Sequence, residues 1–383
     1  MLAPSFHVTI GTSPDSRRLD GGGISLKRDL ELTKAALLYA DRATLVSPSS
    51  SMLIRMAAFA DLAVDSMSKK QRFDFMAEMG GGVPGGEVFE QVKPMYHVLR
   101  KKKHLSKQER LLKLQLEAIA AKAWRDMRNS MLKTLADSGG EDLVYAIGKG
   151  HLHLHPLQFS DPESDGSADE ATWAFIDAIV DAVKDSTTYL LLDDGSGGLV
   201  RAYAREGHFG ASQGGTSRGR QVALAASLFE RLPQFDLATL NETLDLRSEL
   251  ERHLDRFRAA MATYSDTIGL ASWDEGFADE ATGVFVREVA PAVRDIEDAV
   301  ASNSYMRALT SRFAGKLGGA VPVLSLALTQ ALSLPDIAGL AAAGASIAGD
   351  AYLAQKEFRD GQIAAEQNRL FFYYAAGEAL SRR

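Results

Sequence analysis

The sequence predicts an α+β, mostly α chain. An N-terminal α/β domain with a small mixed sheet is expected over residues 1–206, a glycine-rich linker over 207–220, and a C-terminal all-α bundle over 221–383 that contains a hydrophobic helical hairpin at 317–349. Three observations lead there. The first fifty residues alternate strand, helix and strand signals. Beyond Arg220 apolar residues recur at three- and four-residue spacing and no convincing strand is left. No residue between Lys316 and Asp336 is charged, nor any between Asp336 and Asp350, so both arms of the hairpin need apolar surroundings.

The N-terminal unit reads as β-α-β. Phe6 to Ile10 is a strand, Ser25 to Tyr39 has helical spacing through Leu26, Leu30, Ala36 and Leu37, and Ala43 to Val46 is a second strand. A helix between two strands favours parallel pairing. The loop Gly11–Gly23 carries Ser13, Arg17, Arg18 and three consecutive glycines, and the second strand runs into Ser47-Pro48-Ser49-Ser50-Ser51. Both loops follow strand carboxyl ends and lead into helix N-termini, where free N–H groups favour anions. Ser13, Arg17, Arg18, Ser49 and Ser50 are therefore candidates for a phosphate or nucleotide site, with plain turns and helix caps as the alternative. The strand Ala43–Ser47 after an Ala/Leu-rich helix resembles phospholipase-D-like nucleases. That family's activity requires a His-x-Lys pair, and no His-x-Lys occurs in this chain.

Gly80 to Gly86 is a break, since a glycine run resists regular structure. Ser106-x-x-Glu109 is a capping box opening a long helix to about Ala136, striped by Leu112, Leu116, Ile119, Ala123 and Met127. Leu143–Ile147 and His151–Phe159 read as two strands about a Gly148-Lys149-Gly150 turn. On the second of them His151, His153 and His155 alternate with leucines, so one face presents three imidazoles. Neutral imidazoles at i and i+2 suit a transition metal, with Asp161, Glu163 or Asp165 as further ligands; a wet polar row on an edge strand, marked by Pro156, is the competing reading. Thr187–Leu192 and Leu199–Ala204 read as a hairpin around Asp193-Asp194-Gly195-Ser196-Gly197-Gly198, whose aspartates suit a turn or a divalent ion.

In the C-terminal half a long helix starts near Asp236 and carries the seam Leu254, Phe257, Met261, Tyr264, Ile268, while Pro291 kinks a helix between Phe277 and Ala301. Leu334-Pro335-Asp336-Ile337 joins the two uncharged arms as a helix–helix turn. A bilayer core of about 30 Å needs some 20 apolar residues. The second arm, Ile337–Gly349, has thirteen and reaches roughly 20 Å, so it does not span unaided. Burial at the centre of a soluble bundle is preferred over bilayer entry or a subunit interface. With a further helix following it, the hairpin resembles that of pore-forming colicin domains, which implies a latent membrane-inserting effector as an alternative.

The net charge of −7 sits in the second half: from Val222 onward there are 15 basic and 22 acidic residues. That balance disfavours nucleic acid as a partner. The exception is residues 93–113, where eight Lys and Arg meet Glu109 alone. With no cysteine there is no thiolate chemistry, and with no basic region and apolar core at the start the chain is expected to be cytoplasmic. No catalytic motif or defined cofactor site is visible. The expected function is a binding or regulatory protein, with a sensor-like α/β domain and a helical domain that meets a protein partner or a second copy. The alternatives are the membrane effector and a metal- or phosphate-dependent hydrolase.

Overall fold

The computed structural model describes residues 6–13, 25–78, 86–157, 168–208, 210, 212–301 and 365–382. The hairpin 317–349, the arginines Arg17 and Arg18, and the carboxylates Asp161, Glu163 and Asp165 lie outside the described residues. The described chain is mostly helical and has one small sheet. By its internal packing the described chain divides into two compact units, one drawn from the described residues within 1–13, 28–47 and 145–383, the other from those within 14–27 and 48–144.

The sheet belongs to the first unit. Strands β1 (His7–Gly11), β2 (Arg42–Val46), β3 (Leu152–Leu154) and β4 (Tyr189–Leu192) lie in the order β3-β2-β1-β4, every neighbour parallel. Helix α1 (Lys27–Tyr39) joins β1 to β2, and this β-α-β unit falls where the sequence places it. Val8, Ile10, Ala43, Leu45, Leu152 and Leu191 are all buried, as a parallel sheet requires.

The expected mixed sheet is corrected to a purely parallel one, because two segments read as strands are helices. Residues 140–148 form a helix in which Leu143 and Ala146, three apart, are buried while Val144 and Tyr145 are exposed. Residues 194–205 form another, so the hairpin that would have brought antiparallel pairing does not exist.

The second unit is helical: α2 (Pro48–Ser66), α3 (Lys69–Glu78), α4 (Gly86–Lys101) and α5 (Lys107–Asp137). Its core is Phe73, Phe89, Tyr96, Leu116, Trp124 and Met127, with Phe73 stacked on Tyr96 at 3.9 Å. The Ser106–Glu109 capping box is formed in both directions. The α5 stripe runs through Leu116, Ala120, Trp124 and Met127; Ile119, assigned to it from sequence, is 54% exposed. Arg100 and Lys101 occupy the last turn of α4, where cations oppose the helix dipole.

The chain returns to the first unit through α6 (Gly140–Gly148), followed by α7 (Ala168–Lys184), α8 (Asp194–Arg205), α9 (Gln213–Phe229), α10 (Leu240–Ser265) and α11 (Phe277–Val284). A π-helical turn, Phe285–Val289, then leads into α12 (Ala290–Ala301), and α13 (Phe371–Ser381) comes last. Backbone spacing widens to i→i+5 just before Pro291, which accommodates the proline within one continuous helical run. Long helix α10 begins at Leu240 rather than near Asp236, because Thr239 and Glu242 form a second capping box. Phe229, Phe257 and Phe372 from α9, α10 and α13 pack with ring centroids 5.3–6.2 Å apart, so the late aromatic cluster is core.

The supposed linker is corrected as well. From Gln213 the glycine-rich stretch is the first half of α9, capped by Ser212 Oγ, which accepts from Gly215 N at 3.0 Å. Two of its glycines sit where a side chain would be crowded: a Cβ on Gly215 would stand 2.9 Å from Ser212 Oγ, and one on Gly219 would stand 3.1 Å from Ser272 Oγ. Gly219→Val should therefore cost about 1–3 kcal/mol by overpacking. Gly214→Ala, whose nearest neighbour is 3.7 Å away, should be neutral or gain at most about 1 kcal/mol. Urea unfolding of the two variants checks this contrast.

His253 of α10 is 4% exposed against Phe371, and burial, helped by nearby Arg252, pushes its imidazole down to about 4. The unfolded chain then takes up this proton below about 6.5 while the folded chain refuses it until about 4. Stability from this residue is present at neutral pH and lost progressively as pH falls from 6.5 to 4. The stability difference between the parent and His253→Gln, from urea midpoints at pH 7, 5.5 and 4.5, should shift against the parent on acidification.

Candidate functional site

In a parallel α/β sheet the loops after the strands meet at one edge, and ligands favour the point where strand order reverses. Here β1, β2 and β3 step outward in one direction and β4 adds on the other side of β1, so the reversal lies between β1 and β4. Two polar loops meet there. Ser13, two residues after β1, donates from its backbone N at 3.0 Å and from Oγ at 2.9 Å to Oδ2 of Asp193, the residue after β4. The other oxygen, Oδ1, accepts Ser196 N at 2.7 Å and caps α8. Asp193 N itself donates to the Gly11 carbonyl, continuing the ladder into the loop. Gly195 is required: a Cβ there would collide with Ser13 Oγ at 2.1 Å.

Two hydroxyls adjoin this knot and are buried without a hydrogen-bond partner among the described residues, Thr12 Oγ1 and Ser196 Oγ. Asp29, in the first turn of α1, accepts from Ser47 Oγ at 2.7 Å just after β2. Among the described residues, the polar side chains of the two loops at this edge are a carboxylate, Asp193, and the hydroxyls of Thr12, Ser13 and Ser196.

Of the residues singled out from sequence, Ser13 is at this edge. Both its donors are committed to Asp193, so a carboxylate of the chain stands where an oxyanion was expected. Ser49 and Ser50 lie in the first turn of α2 in the other unit, Ser49 half-buried and Ser50 buried. Asp193, read from sequence as turn chemistry or an ion ligand, is the N-cap of α8, while Asp194 is its first residue.

The histidine row is on edge strand β3. His153 is exposed on the same sheet face as Thr44, its partner in register, and His7, whose Nε2 is 2.9 Å from Thr44 Oγ1. Burial first, then the neighbouring His153, lowers the His7 imidazole below its ordinary value. His151 and His155 are half-buried, and burial lowers His155. Among the described residues no three His, Asp or Glu side chains are placed to share a metal.

No known protein family, curated protein or solved structure matches this chain. The site is therefore argued from its own geometry. The Asp193 knot gives a direct expectation: Asp193→Ala orphans Ser196 N and both donors of Ser13, and should lower stability by about 1–2 kcal/mol in thermal unfolding, whereas Asp194→Ala, outside the knot, should change it by no more than about 0.5 kcal/mol.

Proposed function

We propose that this chain is a binding or regulatory protein whose α/β unit holds a small hydroxyl-bearing ligand, of the polyol or nucleoside class, at the carboxyl edge of its sheet. One observation carries the reading: Thr12 Oγ1 and Ser196 Oγ, on the two loops that meet at the strand-order reversal, are buried with no partner among the described residues. A buried hydroxyl left unpaired costs about 1–3 kcal/mol, and a ligand that completes it recovers that cost. The chemistry of the edge selects the ligand. Asp29 and Asp193 supply negative charge and acceptors, and the α8 N-terminus is already neutralised by Asp193, so the edge favours hydroxyl donors over a bare anion.

No helix among the described residues is long and apolar enough to cross a membrane. The binding reading is kept ahead of the effector and hydrolase alternatives on the strength of the two hydroxyls.

Thr12→Val and Ser196→Ala separate a ligand role from a structural one. Each removes an oxygen with no partner among the described residues, so the unliganded protein should keep or slightly raise its melting temperature. In thermal-shift titrations with adenosine, ribose and myo-inositol, at least one should raise the melting temperature of the parent and neither variant should respond. Silence of the parent toward all three, or equal responses from the variants, would reject the assignment.

A further inference from the structure

At the opposite, amino-terminal edge of the same sheet the first unit holds an open cavity of about 610 Å³, within the size range of small-molecule sites. Its walls are two helix faces. Gly214, Ser217, Arg218 and Gln221 on α9, and Asp255, Arg258, Ala259 and Ala262 on α10, each repeat at i, i+3, i+4, i+7, so each helix turns one stripe toward the space. Phe6, just before β1, and Tyr189, the first residue of β4, complete the lining with ring centroids 5.3 Å apart.

The two arginines have different duties. Arg258 is 8% exposed and committed: Nε donates to the Tyr39 carbonyl at 2.8 Å, Nη2 to Asp41 at 2.9 Å, Nη1 approaches Asp255 at 3.4 Å, and the guanidinium covers the Phe6 ring at 4.1 Å. Arg218 is half-buried with its guanidinium 5.8 Å above the Tyr189 ring, and it makes no hydrogen bond or ion pair among the described residues. Asp185 has its oxygens taken by Thr187 Oγ1, Thr187 N and Thr188 Oγ1 at 2.7–2.8 Å, bonds that lower its carboxyl, with Arg218 contributing in part. Ser217, just before it, and Gln221, one turn after it, likewise make no side-chain hydrogen bond among the described residues. Asp255 is the one carboxylate in the lining, and it leans on Arg258.

We infer that this cavity is a binding site for a small organic oxyanion, a carboxylate or phosphate monoester on an apolar body. Arg218 receives the oxyanion through its planar N–H fork, Ser217 and Gln221 add hydrogen bonds, and Phe6, Tyr189, Ala259 and Ala262 take the body. A guanidinium laid on an aromatic face keeps its N–H edge free for bidentate contact, which a lysine ammonium does not reproduce. The site is independent of the carboxyl-edge reading, since it uses none of the same residues.

Isothermal titration of the intact chain tests it with phenyl phosphate, benzoate, inorganic phosphate and phenol as probes. Phenyl phosphate or benzoate should bind at one site per chain; phenol should not bind, and inorganic phosphate should bind at least about tenfold more weakly than the better aromatic anion. Arg218→Gln should weaken binding by about tenfold or more with only a small change in thermal unfolding, because the Arg218 contacts inside the fold are the Tyr189 ring and a screened attraction to Asp185, and Arg218→Lys should fall between it and the parent. Ala262→Trp, which fills the space from the facing helix, should also lose binding, while Thr12→Val keeps it. Absence of binding by both aromatic anions, phosphate binding as tightly as phenyl phosphate, or undiminished binding by Arg218→Gln and Ala262→Trp would overturn the proposal.

Discussion

The helical layer is fixed to the sheet by one buried cation. Arg258 reaches from the middle of α10 to the carbonyl that ends α1 and to Asp41, at the turn into β2, and lies flat on the ring that precedes β1. Asp41 gathers the contact from the other side, accepting Phe6 N at 2.9 Å and Arg247 at 2.6 Å. Burial alone would push the Asp41 carboxyl up, but the bonds from Arg258 and Phe6 N, with Arg247 alongside, hold it below its ordinary value, so it is charged whenever the fold is intact near neutrality. The pair is asymmetric: removing Asp41 leaves the buried Arg258 without its strongest acceptor, whereas removing Arg258 leaves Asp41, one third exposed, still held by Arg247 and Phe6 N. Around this anchor the Phe229, Phe257 and Phe372 cluster sets the spacing of α9, α10 and α13.

The two edges of the sheet consequently carry opposite chemistry. At the amino edge, aspartates are balanced by arginines and an extra guanidinium faces open space. At the carboxyl edge, Asp193 is held by neutral donors alone, two from Ser13 and one from Ser196, and the groups around it are hydroxyls. Parallel strands enforce this separation, because all four amino ends lie together and all four carboxyl ends lie together.

Much of the fold was legible where local pattern and tertiary context agree. The β1-α1-β2 unit shows its strands through apolar β-formers and its helix through three- and four-residue spacing, and the Ser106 and Glu109 side chains announce a helix start by chemistry that acts over three residues. Residues 143–147 and 199–204 were misread because a short apolar run beside glycines fits a strand as well as a helix turn; what decides is burial of Leu143 with Ala146, and of Val200 behind an Asp193 cap. Gly215 and Gly219 looked like linker residues because composition does not distinguish a glycine that bends from one that sits where a side chain would be crowded. The candidate sites were legible only in halves. Ser13 could be placed from its strand, but its partner Asp193 is 180 residues away, and Arg218 meets Arg258 across a groove that exists only once α9 and α10 have packed.

The connection from β2 to β3 has a kinetic consequence. These strands are neighbours in the sheet, yet about a hundred residues, including all of α2 to α5, separate Val46 from Leu152. Closing a flexible loop of that length costs about 4 kcal/mol of chain entropy, more than a strand of three residues offsets by its own ladder. Condensation of the intervening helices shortens the effective loop and lowers that cost for β3. The same reasoning applies more strongly to β4, whose pairing with β1 bridges the still longer stretch from Gly11 to Tyr189, so both outer strands of the sheet must close a long loop before their ladders form.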